Sequence, residues 1–397
     1  MDCVYLARMK NTNKVYKWII GIVILLAIAA SIQSYLLPKK GVEHNDILYF
    51  EYNNYMIFKY SFFHLIDNTN LYVDYPEECY DLFKYTPSFA LFMGLFAFLP
   101  DILGLILWNL LNALVLVSAI RYLPFDNGKK NMLMLAYIGI EMITNLQNAQ
   151  SNALIAGLLI WAFNSAEKKH FLRATLLVGI SVFIKLFGLL GFALFIFYPS
   201  RLRSAIYSLG WMILLFLIPL FVIGFSDLIH QYGNYIHMLL NDHSTSIGLS
   251  IMGWLETWFG LTSIKSWILI PGILLLLLPL VRIKHYSSIS FRLLYLANLL
   301  IWIVIFNHKA ESPTFIIAIS GVAIWYFAQP SSKVNLALLV LAFVFTSLSP
   351  TDLFPRSFKE NWVVPYVLKA VPCILIWFKL SYDLLLKKEF ILTAKEI

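Results

Sequence analysis

Apolar residues in this chain gather in runs too continuous for a half-buried strand or for the single stripe of an amphipathic helix. The first is Trp18–Leu37. Others cover Ile102–Leu123, Asn131–Thr144, Ala149–Ala166, Leu172–Phe187, Gly188–Tyr198 and Ser204–Gly224. The series closes with Trp267–Val281, Phe291–Phe306, Pro313–Ala328, Asn335–Leu348 and Val364–Leu386. A helix crosses a hydrocarbon core of about 30 Å with about 20 apolar residues. The pattern therefore predicts an all-α, polytopic transmembrane helix bundle of about 12 spans, forming a single membrane domain over 1–397.

Two places depart from simple counting. Pro87–Pro100 offers only about 14 residues, roughly 21 Å of helix, and is expected as a half-length or re-entrant helix packed against protein. Leu172–Tyr198 is too long for one comfortable span and too short for two. A single helix there would invert every later loop, so a hairpin turning near Phe187–Leu190 is expected.

The basic residues orient the runs. Arg121 with Lys129 and Lys130, Lys168 with Lys169 and Arg173, and Arg201 with Arg203 lie between runs on one side. Arg282 with Lys284, Lys333, and Lys387 with Lys388 join them. All become cytoplasmic if the N-terminus, with Arg8, Lys10, Lys14 and Lys17, is cytoplasmic too. Lys39 and Lys40 are the exceptions. The first run is long and lacks a small-x-small cleavage site, which reads as a retained span. Two large connectors then face outward. The first, 38–86, carries the aromatic stretch Tyr55–Leu65, expected as a helix in the lipid interface or against the bundle. In the second, 226–265, Trp254, Trp258 and Trp267 read as interfacial anchors.

Composition narrows the function classes. The chain is 60% hydrophobic and 13% charged, too apolar a balance for a soluble domain. The net charge of +8 sits between apolar runs, so it reads as lipid anchoring rather than nucleic-acid binding. No zinc-finger spacing, phosphate loop or basic helical stripe supports nucleic acid. Cys3, Cys79 and Cys373 are too scattered for a disulfide framework or a metal cluster.

Polar residues with chemical potential collect on the outer side. NLQNAQSN holds Asn145, Gln147, Asn148, Gln150 and Asn152, which reads either as a solvated turn or as the lining of a wet pocket. Lys185, in VFIKLFG, either snorkels to the headgroups or holds a lipid phosphate. His308, Lys309 and Glu311, in NHKAESP, either pair within a loop or set a cation beside a phosphate. The first outer loop carries Glu43, Asp46, Glu51, Asp67, Asp74, Glu77, Glu78 and Asp81. Most read as solvated charges. One held in a partly dry cleft would make a general base.

The order of these features resembles glycosyltransferase family 87. An outer loop with NNYMIF and NLY leads to KYTP, a short helix ending in LP, and LWNLLN, then to NLQNAQSN, SVFIKLFG and NHKAESP. The resemblance runs from about Trp18 to Gln329, and the wording is most similar to versions from the Bacteroidetes. It implies a GT-C membrane enzyme that moves a mannose-like hexose, with inversion, from a polyprenyl-phosphate donor to a glycan or glycolipid acceptor. It places the protein in the inner membrane with its site toward the periplasm. No metal or other cofactor is required, because the leaving group is a lipid phosphate. Lys185, His308 and Lys309 would hold that phosphate, with the Glu311 carboxylate fixing the cation at the substrate site, while Gln147, Gln150 and Asn152 would bind sugar hydroxyls. The family's expected base is an Asp in a pattern like Asp-Phe-x-Val-Tyr. Here Asn54 stands in that place, and an amide takes no proton at neutral pH. Glu51 or Asp46 would then supply the carboxylate, or the motif's correspondence is shifted along the chain, or the protein binds sugar lipid without transferring from it. A transporter or flippase of lipid-linked sugars is the competing class, and would place its polar residues near the bilayer midplane. A polymerase or ligase would show paired arginines in a late outer loop, where 349–363 has only Arg356.

Overall fold

The computed structural model describes residues 3–42, 45–125, 128–241, 248–262 and 265–391. The chain opens with α1 (Cys3–Leu36), a ribbon of β1 (Lys40–Val42) and β2 (Asn45–Tyr49), α2 (Asn53–Ile66) and α3 (Pro87–Ala97). It continues through α4 (Asp101–Arg121), α5 (Gly128–Tyr137), α6 (Gly139–Gln147), α7 (Asn152–Glu167) and α8 (Phe171–Ile184). A 3₁₀ segment, Leu186–Phe197, leads to α9 (Arg201–Leu217), α10 (Phe225–Asn241), α11 (Ile251–Phe259) and α12 (Lys265–Leu277). The last part holds α13 (Ile289–Ile305), α14 (Phe315–Phe327), α15 (Lys333–Leu341), the single turn α16 (Arg356–Phe358) and α17 (Val371–Leu386). The fold class is all-α. Among the described residues the antiparallel ribbon, pairing Lys40 with Tyr49 and Gly41 with Leu48, supplies the strands.

Among the described residues three helices are long and apolar enough to cross a membrane: Val15–Leu36, Asp101–Arg121 and Arg201–Phe221. They match predicted runs. Only 11% of the apolar window in the third is buried by protein, against 50% in the second. The α9 side chains are therefore left for lipid, whereas α4 is half enclosed by its neighbours. The Pro87 helix is short, as expected, at 11 residues. Thr86 caps it by accepting from Phe89 N, and Pro87 sits at its start, where a missing N–H costs nothing.

The described residues gather into two compact units. The first comprises Met1–Ala119, Ile143–Leu189 and Leu202–Ser244. At its centre α7 is buried from Asn152 through Ala166 except at Trp161. Polar side chains bind α7 to α4. Asn164 Nδ2 donates to Ala119 O at 2.8 Å, and Trp161 Nε1 donates to Ser118 Oγ at 3.0 Å. Such bonds hold helices together where lipid offers no hydrophobic drive. The helix α2 packs on α3, with Phe62 beside Gly94, Phe58 edge-on to Phe89 and Tyr55 beside Phe96 O, so the aromatic stretch of the first loop lies against the bundle.

The second unit comprises Ile120–Met142, Leu190–Arg201 and Thr245–Ile397. Its core is α13 against α14 and α17. From Ser290 to Ile305 every α13 residue except Arg292 is buried, which explains a helix apolar on all faces. Two predicted runs break here. The Asn131–Thr144 run is two helices joined at Ile138, beside Gly139, whose low helix propensity eases the kink. Val364–Leu386 becomes helical only at Val371, after Val367 takes a φ of +53° that a β-branched residue adopts under constraint. Two residues further on lies a buried ion pair. Lys369 Nζ donates to Glu141 Oε1 at 2.6 Å and to Thr346 O at 2.8 Å, both charged side chains being almost wholly buried. The Nζ also lies 4.9 Å from the centre of the Phe315 ring.

Candidate functional site

The carboxamide turn is built by side chains. Asn145 and Asn152 are buried, Gln150 nearly so, and Asn148 is exposed. Asn145 Nδ2 donates to Gln150 O at 3.1 Å, and Gln150 N donates back to Asn145 O at 3.1 Å. This closes the turn around Ala149, whose φ is +49°. Helices on either side then fasten it. Trp108 Nε1 donates to Ala149 O at 2.8 Å, and Asn109 Nδ2 to Leu146 O at 3.0 Å. Gln147 Nε2 donates to Gln33 Oε1 at 3.0 Å, and Ser34 Oγ to Gln147 O at 2.9 Å. Of the two asparagines of LWNLLN, Asn109 therefore scaffolds the turn, while Asn112 accepts from Leu154 N at the start of α7.

Lys185 ends α8 in an extended conformation, with φ −141° and ψ 132°. The chain then doubles back. A Cβ on Gly188 would lie 2.7 Å from both Ser181 C and Val182 N, so only glycine permits this return onto α8. The helix thus ends at Ile184, with Lys185 as its extended cap, ahead of the Phe187–Leu190 turn expected from the sequence. Lys185 Nζ donates to Asn152 Oδ1 at 2.9 Å and stands 5.5 Å from the centre of the Tyr85 ring. Tyr85 in turn donates its hydroxyl to Gln150 Oε1 at 3.5 Å. A cation, an aromatic face and two carboxamides meet in one place. Thr86 Oγ1 donates to Phe183 O at 2.5 Å and ties this end of the first loop to α8.

Tyr85 is the member of this cluster that sequence reasoning misses. Its signal is present, since KYTP is one of the motifs carrying the family resemblance and sets an aromatic just before a proline-started helix.

The proposed acids occupy the other end of that loop. Glu51 Oε1 lies 2.5 Å from Lys40 Nζ, with its side chain 21% exposed. Asp46 stands in β2, and its side chain lies outside the described residues, as does Glu43. Asn54 Nδ2 donates to Asn148 O at 2.9 Å, so the amide in the family's acid position docks α2 on the carboxamide turn. Asn54→Asp would set a carboxylate against that carbonyl. The expected result is a loss of about 1 kcal/mol in thermal unfolding with no gain in activity. A stabilised or more active variant would refute this role.

The rest of the loop is braced by aromatics and ion pairs. Lys59 Nζ is 2.6 Å from Asp101 Oδ1. His64 Nε2 is 2.9 Å from Glu78 Oε2 and its ring stacks on Tyr75 at 3.8 Å. Burial pulls His64 below its ordinary pKa in spite of Glu78. Burial, with nearby Glu78, pushes the free thiol of Cys79 up to about 12, so it stays protonated and unreactive.

His308, Lys309 and Glu311 belong to the second unit. His308 and Glu311 are exposed and Lys309 is half-buried. Lys309 N donates to Asn307 Oδ1 at 3.0 Å, and Glu311 N to Thr314 Oγ1 at 3.2 Å, where Glu311 begins the turn before α14. Leu249 N donates to Ala310 O at 2.8 Å. Gly248, at φ +64°, approaches His308 O so closely that no Cβ fits. Gly248→Ala is therefore expected to cost about 1–3 kcal/mol, through both the left-handed backbone and the clash. Thermal unfolding in detergent measures it, and an unchanged midpoint would refute the contact. Among the described residues no group of His, Cys, Asp and Glu forms a metal cage.

Comparison with known proteins places these residues in context. The profile of glycosyltransferase family 87 matches residues 83–350, a stretch that takes in Tyr85, the carboxamide turn, Lys185 and the His308–Glu311 turn. No curated protein matches the chain. Among solved structures it is similar to ArnT from Cupriavidus metallidurans bound to undecaprenyl phosphate. That likeness has 13% identity over 93% of this chain and 76% of that one, with a TM-score of 0.45. The apo state of the same protein gives 13% identity over 92% and 76%, with a TM-score of 0.43.

Proposed function

Since the chain belongs to glycosyltransferase family 87, we propose that it moves a mannose-like hexose from a polyprenyl phosphate to a glycan or glycolipid acceptor on the extracytoplasmic face, with inversion. It is a multi-pass membrane glycosyltransferase. The finer reading is supported chiefly by the cluster of Lys185 with Asn152, Tyr85 and Gln150. A compact ammonium is suited to a phosphate, and carboxamides present the paired donors and acceptors that sugar hydroxyls require. The positive-inside pattern supports an N-terminus in the cytoplasm of an inner membrane and a site toward the periplasm.

In this mechanism the acceptor hydroxyl loses its proton to a carboxylate and its oxygen bonds to the anomeric carbon. The carbon–oxygen bond to the phosphate breaks from the opposite face, which inverts the centre. Charge grows on the departing polyprenyl phosphate, and Lys185 stabilises it there. Glu51 is the carboxylate favoured as base, because Asn54 is committed to Asn148 O and lacks a basic oxygen. Asp46 is the alternative. The Asn54 contact also favours a second reading, a protein that binds sugar lipid without transferring from it.

Purified protein in lipid nanodiscs, given labelled polyprenyl-phosphate hexoses and extracted glycolipids, separates the two. A glycosylated lipid or glycan whose new linkage has the anomeric configuration opposite to the donor's is the expected product. Donor binding with no product in any combination would establish the binding protein and overturn the transferase.

A further inference from the structure

A cavity of about 750 Å³ lies within the first unit, between the loop after α2 and the helix α10. It belongs to the two connectors read from sequence as facing outward. Asn70 and Tyr72 line it from the loop, and Asn234, His237 and Asn241 line it from α10, together with three apolar side chains. The volume falls in the range of small-molecule sites, roughly 300–1,000 Å³.

The lining selects a chemistry. Three carboxamides and an imidazole supply donors and acceptors, and the phenol of Tyr72, its proton given to Tyr85 O, adds an acceptor. One amide N–H of Asn241 is used on His237 O, and the rest complement hydroxyls that each donate and accept. An acyl chain there would leave those groups without partners, at a cost. Among the described residues no Lys, Arg, Asp or Glu lines the cavity, so a phosphate or carboxylate inside it would meet no opposite charge from them. That lining suits a neutral polyhydroxyl ligand.

The walls are held in place. Gln231 Oε1 accepts from Leu71 N at 3.2 Å, and its Nε2 donates to Thr69 O at 2.6 Å, clamping the loop on α10. The Tyr72 ring lies 5.4 Å from that of Tyr235. Tyr72 also donates its hydroxyl to Tyr85 O at 2.9 Å. One wall of the cavity is thus bonded to the residue whose own hydroxyl and ring meet Gln150 and Lys185.

We propose that this cavity is the acceptor subsite and that it takes the neutral sugar rings of a glycan. The assignment rests on the transferase reading, which places the donor's phosphate at Lys185. Tyr85 then stands between donor and acceptor. Tyr72 and the surrounding carboxamides orient the acceptor's ring, so these are positioning residues with no part in proton transfer.

The test uses full-length protein in nanodiscs, with mannotriose and maltotriose as neutral probes and trigalacturonic acid as an anionic probe of similar size. Saturation-transfer NMR is expected to show binding of the neutral trisaccharides and little of the acid. Asn234→Phe, which fills the cavity, and the milder Asn234→Ala are each expected to weaken that binding by about tenfold, the scale of one or two hydrogen bonds removed from a site. Unchanged thermal unfolding confirms that the variants are folded. Equal binding in wild type and in both variants, stronger binding of the acid, or no binding of any neutral probe would overturn the subsite.

The two readings fail separately. Trisaccharide binding that disappears when the cavity is filled, in a protein that moves no sugar from any polyprenyl phosphate, would overturn the transferase and leave a glycan-binding cavity. Transfer that persists in Asn234→Phe with an unchanged acceptor KM would overturn the subsite alone.

Discussion

Lys185→Ala is expected to lower the rate of sugar transfer by about a hundredfold or more, while the protein unfolds at nearly the same temperature. The size follows from the role, since removing one preorganised donor from developing anionic charge costs about 10²–10³ in rate. The selectivity follows from the backbone. Lys185 has already left α8 in an extended conformation, so alanine there interrupts no helix. Its amide keeps the bond to Ser181 O, and the close approach of Gly188 to α8 that turns the chain back does not involve the lysine side chain. What disappears is the ammonium beside Asn152 and Tyr85. Lys185→Arg is expected to recover part of the rate, because it restores charge with a different shape. Turnover of a polyprenyl-phosphate hexose by purified variants checks this. An alanine variant with near-normal turnover would remove Lys185 from the mechanism.

The second large effect is on stability. Lys369→Ala or Glu141→Ala leaves one charge buried and uncompensated, at a cost of about 3–5 kcal/mol. The pair is 2.6 Å apart and nearly sealed from solvent. Replacing both, as Glu141→Leu with Lys369→Met, is expected to restore most of the lost stability, because apolar side chains of similar volume need no compensation. Unfolding of the singles and the double in one detergent completes the cycle. If the double is as unstable as the singles, the pair's remaining bonds, such as Lys369 to Thr346 O, dominate instead. This ion pair belongs to the second unit, so its loss separates folding from the Lys185 chemistry.

The contrast between these residues shows where sequence reading reaches and where it stops. The long helices α1, α4 and α9 follow from unbroken apolar runs, and the short α3 from the run bounded by Pro87 and Pro100, because those signals are local. Lys185 is conspicuous as one ammonium in an apolar context. Glu141 and Lys369 escape such a reading, although each is an ionisable residue inside a predicted span and their signs are opposite. They are 228 positions apart, and no periodicity joins positions so distant. The carboxamide turn is legible in composition but not in use. Asn145 closes the turn on itself, while Asn152 and Gln150 reach Lys185 and Tyr85. Asn54 likewise shows only that an acid is missing, and its bond to Asn148 O depends on how α2 docks.

The side-chain closure of the carboxamide turn also governs how the start of α7 behaves in time. The first amides of a helix ordinarily lack partners within it and exchange freely with water. Here Ala153 N donates to Asn145 Oδ1 at 3.3 Å and Leu154 N donates to Asn112 Oδ1 at 3.0 Å. In D₂O these two amides are expected to keep their protons as long as the middle of α7 does, far beyond those of an ordinary first turn. Exchange at Leu154 would then report the separation of α4 from α7, and exchange at Ala153 the release of Asn145 at the end of α6, so Asn112→Ala should release Leu154 while leaving Ala153 slow.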